Sequence, residues 1–130
     1  MNVKYLAACL SVVSLIAGPS SDTAIAQPKE IYIPPLVYRT GPYASSGIPV
    51  ANGLVDYYTL INTRDGGVNG TKLAWEKCET RYDTKQSVEC YERIKAKGAV
   101  LVFPLSTGAT YQIVPMAPVD KIPVFQIGAG

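Results

Sequence analysis

Hydroxyl side chains are the groups in this 130-residue chain best suited to a chemical role, because the chain contains no histidine. Histidine is the commonest general base and a frequent metal ligand. Its absence excludes Ser-His-Asp catalysis, Cys-His catalysis and histidine-based zinc sites. Ser46 and the pair Ser106–Thr107 stand in segments rich in small residues. With no histidine to activate Ser106, a catalytic role for these hydroxyls is not favoured, and we expect neither a metal nor a cofactor.

The first 26 residues have the three parts of a secretory signal. Lys4 precedes an apolar run at 6–17, and Ala24-Ile25-Ala26 supplies a small-residue cleavage site. A membrane anchor is the alternative, but the run is shorter than the roughly 20 apolar residues that span a bilayer. We therefore expect residues 1–26 to be a cleaved signal peptide and residues 27–130 to be the mature, exported chain.

Export also bears on the three cysteines. Cys9 would leave with the signal peptide, and the mature chain would keep Cys78 and Cys90. An even pair in an exported protein favours a disulfide. Two buried free thiols, or half of a metal site, are the alternatives. A metal would need more ligands, and only Glu79 and Asp83 are nearby in the sequence.

Charge and glycine patterns exclude two classes of partner. The formal net charge is +2 and no basic stripe is present, so the sequence gives no sign of nucleic-acid binding. Residues 128–130 form a Gly-Ala-Gly motif, but the sequence has neither the third glycine nor the helix that a phosphate-binding loop requires.

The elements that must position these residues alternate between strands and helices. Two predicted strands lie at 30–38 and 71–78, and two prolines interrupt the first of them, which is awkward in a central strand. The wholly apolar run at 99–104 predicts a strand covered on both faces. Residues 123–127 are predicted to form the fourth strand.

Three helices are predicted between these strands. Ser45 or Ser46 is expected to cap the first, and Asp65-Gly66-Gly67 to end it. Apolar residues at helical spacing predict its buried face: Val50, Leu54, Tyr57 and Ile61.

The second helix has a clear predicted start and the third is weak. Asp83, three residues before Gln86, has the spacing of a capping box. This helix is expected to run to about Lys97, with its buried face at Ser87, Tyr91 and Ile94. The third helix follows Ser106, and Pro115 and Pro118 lie in its interior.

Four strands separated by three helices predict an α/β fold with a parallel sheet of βαβ units. Ligands of such sheets bind outside the carboxyl ends of the strands. In this chain the corresponding segments are 38–46, 79–83, 105–110 and 128–130.

Ser106 and Thr107 stand where a predicted strand ends and a helix begins. Free backbone N–H groups and the helix dipole suit an anionic group there, such as a carboxylate. The alternative is that one of the two hydroxyls caps its helix. Tyr43, Tyr82 and Tyr111 are the tyrosines best placed to line a pocket.

Six motifs follow one another in a fixed order along the mature chain. They are Thr40-Gly41-Pro42, Asn52-Gly53, the run 61–70, the helix start 83–88, the run 104–108 and the final Gly128-Ala129. In this order they resemble the opening of type I periplasmic binding proteins. The closest resemblance is to the leucine/isoleucine/valine-binding components of ABC transporters, and it covers essentially the whole of residues 27–130.

The resemblance implies a receptor and not an enzyme. Such proteins capture an amino acid or a similar small ligand in the periplasm and deliver it to an ABC permease in the inner membrane. It implies that Ser106 and Thr107 hold the ligand carboxylate and ammonium groups. It further implies that Ala129, with Gly130 beside it, contributes backbone contacts, and that Ser46 and Tyr43 cover the ligand.

The resemblance also implies an incomplete first lobe. Gly130 stands where many relatives have threonine, Pro115 and Pro118 break a helix that the family keeps, and the sequence ends after the fourth strand. We therefore expect residues 27–130 to be a partial N-terminal lobe that binds ligand weakly or not at all by itself. Two alternatives remain: a small secreted interaction module or non-functional remnant of such a receptor, and a thiol enzyme that uses Cys78 and Cys90.

Overall fold

A computed structural model describes residues 30–127. The predicted signal peptide, Ala129 and Gly130 lie outside these residues. The described chain contains five short strands and four helices, and the strand pairs are parallel. In chain order they are β1 Glu30–Tyr32, β2 Pro35–Val37, α1 Ala44–Arg64, β3 Lys72–Ala74, β4 Cys78–Glu79, α2 Thr84–Ala96, β5 Phe103–Pro104, α3 Thr107–Ile113 and α4 Ala117–Asp120. The predicted α/β fold with a parallel sheet is confirmed.

The first two predicted strands are each divided into two. β1 pairs with β3, and further along the same two segments β2 pairs with β4. β5 pairs with the other side of β2, which is therefore the middle strand of a three-stranded sheet. Pro34 interrupts the ladder because it has no N–H to donate, and Pro35 is accommodated as the first residue of β2.

The last two predicted strands are shorter than expected. Only Phe103 and Pro104 of the run 99–104 form a strand. The prediction of a strand over 123–127 was wrong, because Val124 makes a single parallel bridge with Val102. This segment has one neighbour only in the described chain, and Pro123 cannot donate to a ladder.

Helix α1 begins earlier and faces the sheet differently from the prediction. Its N-terminal flanking residue is Tyr43, which makes no side-chain cap, so the prediction of a Ser45 or Ser46 cap was wrong. The buried residues are Gly47, Ala51 and Tyr58. The predicted face is only half-buried, and its member Tyr57 is 56% exposed.

Gly47 sets this orientation of α1. A Cβ atom built on Gly47 would lie 1.9 Å from the Tyr38 carbonyl oxygen and 2.3 Å from the Tyr38 ring. Only glycine therefore allows α1 to lie so close to the end of β2. The close approach turns Ala51 and Tyr58 toward the sheet.

The ends of the remaining helices follow the sequence closely. Asp83 caps α2, since its Oδ1 accepts a hydrogen bond from the Gln86 backbone N at 2.8 Å, and the predicted cap is confirmed. Gly98, with φ +83°, follows the end of α2. The predicted interruption of the third helix is also found, because α3 ends at Ile113 and α4 starts again beyond Pro115.

The two faces of the sheet are covered unequally. The larger core lies beneath α2, α3 and α4 and includes Leu36, Tyr91 and Val102. The smaller core lies beneath α1 and contains Val37, Tyr38, Ala51 and Leu105. The alternation of Leu36 with Val37 is the period of two that a strand buried on both faces requires.

Candidate functional site

Three loops leave the carboxyl edge of the sheet on the same side of the molecule. They are residues 38–43 after β2, 80–83 after β4 and 105–106 after β5. Because β4, β2 and β5 are parallel neighbours, these loops are adjacent. We call this region the carboxyl edge.

Glu79 fastens the first two of these loops together. Its carboxylate accepts hydrogen bonds from the Arg39 backbone N at 3.0 Å, from the Thr40 hydroxyl at 3.2 Å and from the Arg81 backbone N at 2.9 Å. The sequence did not predict this role, since two of the three donors come from a segment about 40 residues earlier. The one local feature of the sequence that could have indicated it is that the acidic Glu79 is the last residue of β4.

The backbone of the two loops is also in close contact. Gly41 has φ +85°, and a Cβ atom there would lie 2.9 Å from the Arg81 carbonyl oxygen. Arg81 and Tyr82 both adopt left-handed conformations, with φ +56° and +63°. Such a conformation is unfavourable for a bulky residue and is kept only when its surroundings determine it. Around Tyr82, the neighbouring side chains are the rings of Tyr38 and Tyr43.

Three tyrosines form an aromatic cluster at the carboxyl edge. The rings of Tyr38 and Tyr82 meet edge to face at 4.9 Å, and those of Tyr43 and Tyr82 lie 4.5 Å apart. Burial, with a smaller contribution from Tyr82, raises the pKa of Tyr38. Tyr43 is 53% exposed. Of the predicted pocket tyrosines, the structure brings Tyr43 and Tyr82 together.

The hydroxyl of Ser106 caps helix α3. It accepts a hydrogen bond from the Ala109 backbone N at 3.2 Å, and Ser106 is buried. The structure therefore shows the helix cap, and the predicted ligand contact stays a prediction. Thr107 is the first residue of α3 and is half-exposed. The Thr110 hydroxyl lies 3.0 Å from Gln126 Oε1, so α3 is tied to the segment that leads to residues 128–130.

Cys78 and Cys90 are joined by a disulfide, with their Cα atoms 5.9 Å apart. The bridge connects β4 to α2, immediately before Glu79. Both cysteines are buried. Within residues 30–127, no group of three or more Cys, Asp or Glu side chains could hold a metal ion.

A family profile described as "Periplasmic binding protein" matches residues 30–130. This match covers all five strands, all four helices and the loops of the carboxyl edge. The chain belongs to the periplasmic binding protein family. The resemblance to type I periplasmic binding proteins of ABC transporters is confirmed.

Solved structures share the fold of this periplasmic binding protein chain. A Pseudomonas fluorescens group protein described as an ABC transporter permease is 42% identical, with a TM-score of 0.70, and the match covers 74% of this chain and 24% of that one. A fatty acid ABC transporter substrate-binding protein from Thermomonospora curvata is 22% identical, with a TM-score of 0.70 and coverages of 76% and 25%.

A third solved structure is a branched-chain amino acid transporter substrate-binding protein from Streptococcus pneumoniae in complex with isoleucine. It is 21% identical, with a TM-score of 0.68 and coverages of 75% and 28%. The chain thus spans about a quarter of the length of these solved proteins. No curated protein sequence matches it.

The predicted ligand residues occupy different parts of the carboxyl edge. Tyr43 lies in the loop after β2, and Ser46 is exposed in the first turn of α1. Ser106 and Thr107 stand at the start of α3, after the neighbouring strand. Tyr111 is 73% exposed within α3 and has no part in the tyrosine cluster described above. None of the helices within 30–127 has the length and apolar character needed to cross a bilayer.

Proposed function

We propose that the chain is part of an exported substrate-binding protein of an ABC importer. In this proposal it captures a branched-chain amino acid or a related small amide or acid. Residues 1–26 are its cleaved signal peptide, and residues 27–130 are part of the N-terminal lobe. The protein works in the periplasm as a receptor, not as an enzyme, and delivers its ligand to a permease in the inner membrane. Membership of the family supports this proposal.

The observation that carries the proposal is the pair of loops that hydrogen bonds hold together at the carboxyl edge. A small-ligand site needs a few well-placed polar groups beside apolar surface, held before the ligand arrives. Glu79 holds the loops after β2 and β4 together through three hydrogen bonds. Tyr82 then supports the exposed ring of Tyr43. In this proposal the carboxyl edge is one half of the site, and a second lobe would add the other half.

We propose individual roles from the place of each residue at the carboxyl edge. Tyr43 contributes ring surface and Ser46 an exposed hydroxyl. The Ser106 hydroxyl caps α3 and can still donate a hydrogen bond, and we propose that Ser106 and Thr107 together hold the ligand carboxylate and ammonium groups. Ala129 is proposed to contribute backbone groups from the last segment.

The test is a calorimetric titration of the full chain, purified after export and shown by circular dichroism to be folded. The ligand panel is leucine, isoleucine, valine and small amides. Because the chain is part of one lobe, we expect at most weak, saturable binding of one of them. The double variant Tyr43→Leu, Thr107→Val should weaken it by about tenfold or more, which corresponds to about 1.4 kcal/mol.

Tyr111→Leu is the matched control, because it removes an exposed tyrosine outside the tyrosine cluster and should leave affinity unchanged. Ser106→Ala is avoided, since losing a cap costs about 1 kcal/mol of stability and would confuse the result. A folded chain that binds none of the panel would favour the alternatives, a small secreted interaction module or a non-functional remnant of such a receptor. Unchanged affinity in the double variant would place the ligand elsewhere.

A further inference from the structure

The two sulfur atoms of the disulfide have different neighbours. Arg93 follows Cys90 by three residues on α2, so both side chains lie on one face of that helix. The guanidinium of Arg93 extends to the sulfur at the other end of the bridge, where its Nη2 lies 2.6 Å from Cys78 Sγ. Cys90 Sγ lies 3.7 Å from the backbone carbonyl oxygen of Glu79. Cys78 therefore faces a cation, and Cys90 faces a neutral acceptor.

Arg93 has no carboxylate partner of its own. None of the ion pairs within residues 30–127 includes it. The hydrogen bond from Lys97 lowers the pKa of Glu76, and Arg93 adds a smaller effect in the same direction. Lys97 already pairs with this carboxylate at 2.7 Å. The charge of Arg93 is therefore directed at a disulfide sulfur, which is only a weak hydrogen-bond acceptor.

A cysteine thiolate is a much better partner for a guanidinium than a disulfide sulfur is. Hydrogen bonds to an ionised acceptor are roughly twice as strong as neutral ones, and a neighbouring arginine favours the thiolate over the thiol. At the other sulfur, a Cys90 thiol would donate its S–H to the Glu79 carbonyl oxygen, a bond that a disulfide cannot make. The partners that suit the two reduced cysteines are thus already in place around the bridge.

The other titratable groups around Cys78 do not oppose this arrangement. Burial, with a contribution from Glu76, raises the pKa of Tyr32 to about 12, so its hydroxyl is neutral at neutral pH. Glu79, the next residue of β4, points to the opposite face of the strand, and its carboxylate accepts loop N–H groups. Glu89 lies on the exposed side of α2. Strand β2, which pairs with β4, contributes no charged side chain, and neither does α3.

We propose that the Cys78–Cys90 bridge is a site of reversible thiol–disulfide exchange. A protein dithiol of the C-x-x-C class reduces it, and Arg93 stabilises the Cys78 thiolate that is released. A thiolate of the reductant attacks Cys90 Sγ, the S–S bond breaks, and Cys78 leaves, because a stabilised thiolate is the better leaving group. The second thiol of the reductant then releases Cys90, which takes up a proton. Overall, the bridge gains two electrons and one proton, the dithiol becomes a disulfide, and its other proton goes to water.

Two effects then act on the bridge in opposite directions. Closure of the loop between residues 78 and 90 favours the oxidised form, whereas Arg93 favours the reduced form. The two can be separated, because only the second depends on pH and on Arg93. The redox state also reaches the carboxyl edge, since Glu79 follows Cys78 directly and holds the loops after β2 and β4.

The experiment is equilibration of the full folded chain with mixtures of reduced and oxidised dithiothreitol. The pH is varied from about 6 to about 8, below the usual pKa of a free thiol, about 8.5. Acid quenching followed by thiol alkylation in denaturant gives the reduced fraction. Because each reduction releases one proton, we expect the equilibrium constant for reduction to rise about tenfold per pH unit. Two ordinary thiols would keep both protons, and the equilibrium constant would then be independent of pH.

Arg93→Gln should lower this equilibrium constant at neutral pH by about tenfold or more, which corresponds to about 30 mV, and should abolish its pH dependence. Arg93→Lys keeps the charge and should keep most of that dependence. Lys85→Gln is the matched control, since it removes a cation of the same helix that is 87% exposed, and it should behave as the wild type.

A wild-type equilibrium constant that does not change with pH would overturn the proposal, as would one that Arg93→Gln leaves unchanged. Circular dichroism checks that each variant is folded, and the wild-type pH series decides the question even if Arg93→Gln does not fold. The result does not depend on the ligand titration.

Discussion

Glu79 shows how one side chain can set the geometry of a whole loop pair. Its carboxylate receives the backbone N–H groups of Arg39 and Arg81 and the hydroxyl of Thr40. Beyond the ends of the strands, loop N–H groups have no acceptor in the β-ladder. A carboxylate that accepts several of these bonds supplies the missing acceptor. Tyr82 lies in the same loop as Arg81, after β4.

Replacing Glu79 with alanine should destabilise the fold by about 1–3 kcal/mol, because two loop N–H groups lose their acceptor. The free energy of unfolding, measured by urea denaturation, checks this. Glu89→Ala is the control, since Glu89 only faces Lys85 at 4.0 Å on the exposed side of α2. Such a pair contributes little, so the control should change stability by less than about 0.5 kcal/mol. Equal effects of the two substitutions would show that Glu79 does not hold the loops.

Local roles were predictable from the sequence at this scale, and non-local roles were not. The cap formed by Asp83 depends on a neighbour three residues away, and the spacing to Gln86 predicted it. Glu79 depends on donors that only the sheet brings near. Ser106 illustrates a third case, since its sequence context fits both a ligand contact and a cap, and the position of the Ala109 N–H shows that the cap is formed.

At the scale of an element, α1 is positioned by its smallest residues. Gly47 lies directly against Tyr38, whereas a Cβ atom added to Gly53, in the same helix, would meet no atom within 4 Å. The helix therefore contains one glycine that packing requires and another that packing does not require.

Gly47→Ala should be strongly destabilising, by about 3 kcal/mol or more, because the backbone oxygen of Tyr38 cannot move away without disturbing the end of β2. Gly53→Ala should instead stabilise the fold by about 0.5–1 kcal/mol, since alanine favours a helix interior more than glycine does. Thermal unfolding of the two variants measures both effects. A tolerated Gly47→Ala variant would contradict the close packing of α1 on the sheet.

The position of α1 also explains why its buried face was predicted incorrectly. Periodicity identified Val50, Leu54, Tyr57 and Ile61 because they are the large apolar residues of the helix. Gly47 and Ala51 contribute almost no hydropathy signal, yet they allow the closest approach and so decide which side meets the sheet. The large residues lie on the neighbouring flank, where the single chain covers them only in part.

At the scale of the whole molecule, the parallel α/β fold was predictable because strand and helix patterns alternate along the chain. The division of the first two predicted strands into β1 and β2 and into β3 and β4 was harder to predict, since it depends on where prolines fall within the sheet. The disulfide links the two layers of this fold, because Cys78 belongs to β4 and Cys90 to α2.

Reduction of this disulfide should lower the free energy of unfolding by about 3 kcal/mol, the amount expected when a short loop is no longer closed in the unfolded chain. Urea denaturation with and without dithiothreitol measures the difference. The double variant Cys78→Ser, Cys90→Ser should match the reduced wild type and should not respond to the reductant. Identical stability with and without dithiothreitol would show that the bridge contributes nothing.

The disulfide between β4 and α2 has a consequence for the timing of folding. In the reducing cytosol the two thiols stay apart, so the chain would lack about 3 kcal/mol of a total stability that is typically only about 5–15 kcal/mol. A chain that folds poorly before oxidation remains extended for passage through a translocation channel. In the export route proposed for this protein, the bridge would make the folded state strongly favoured only on the far side of the membrane.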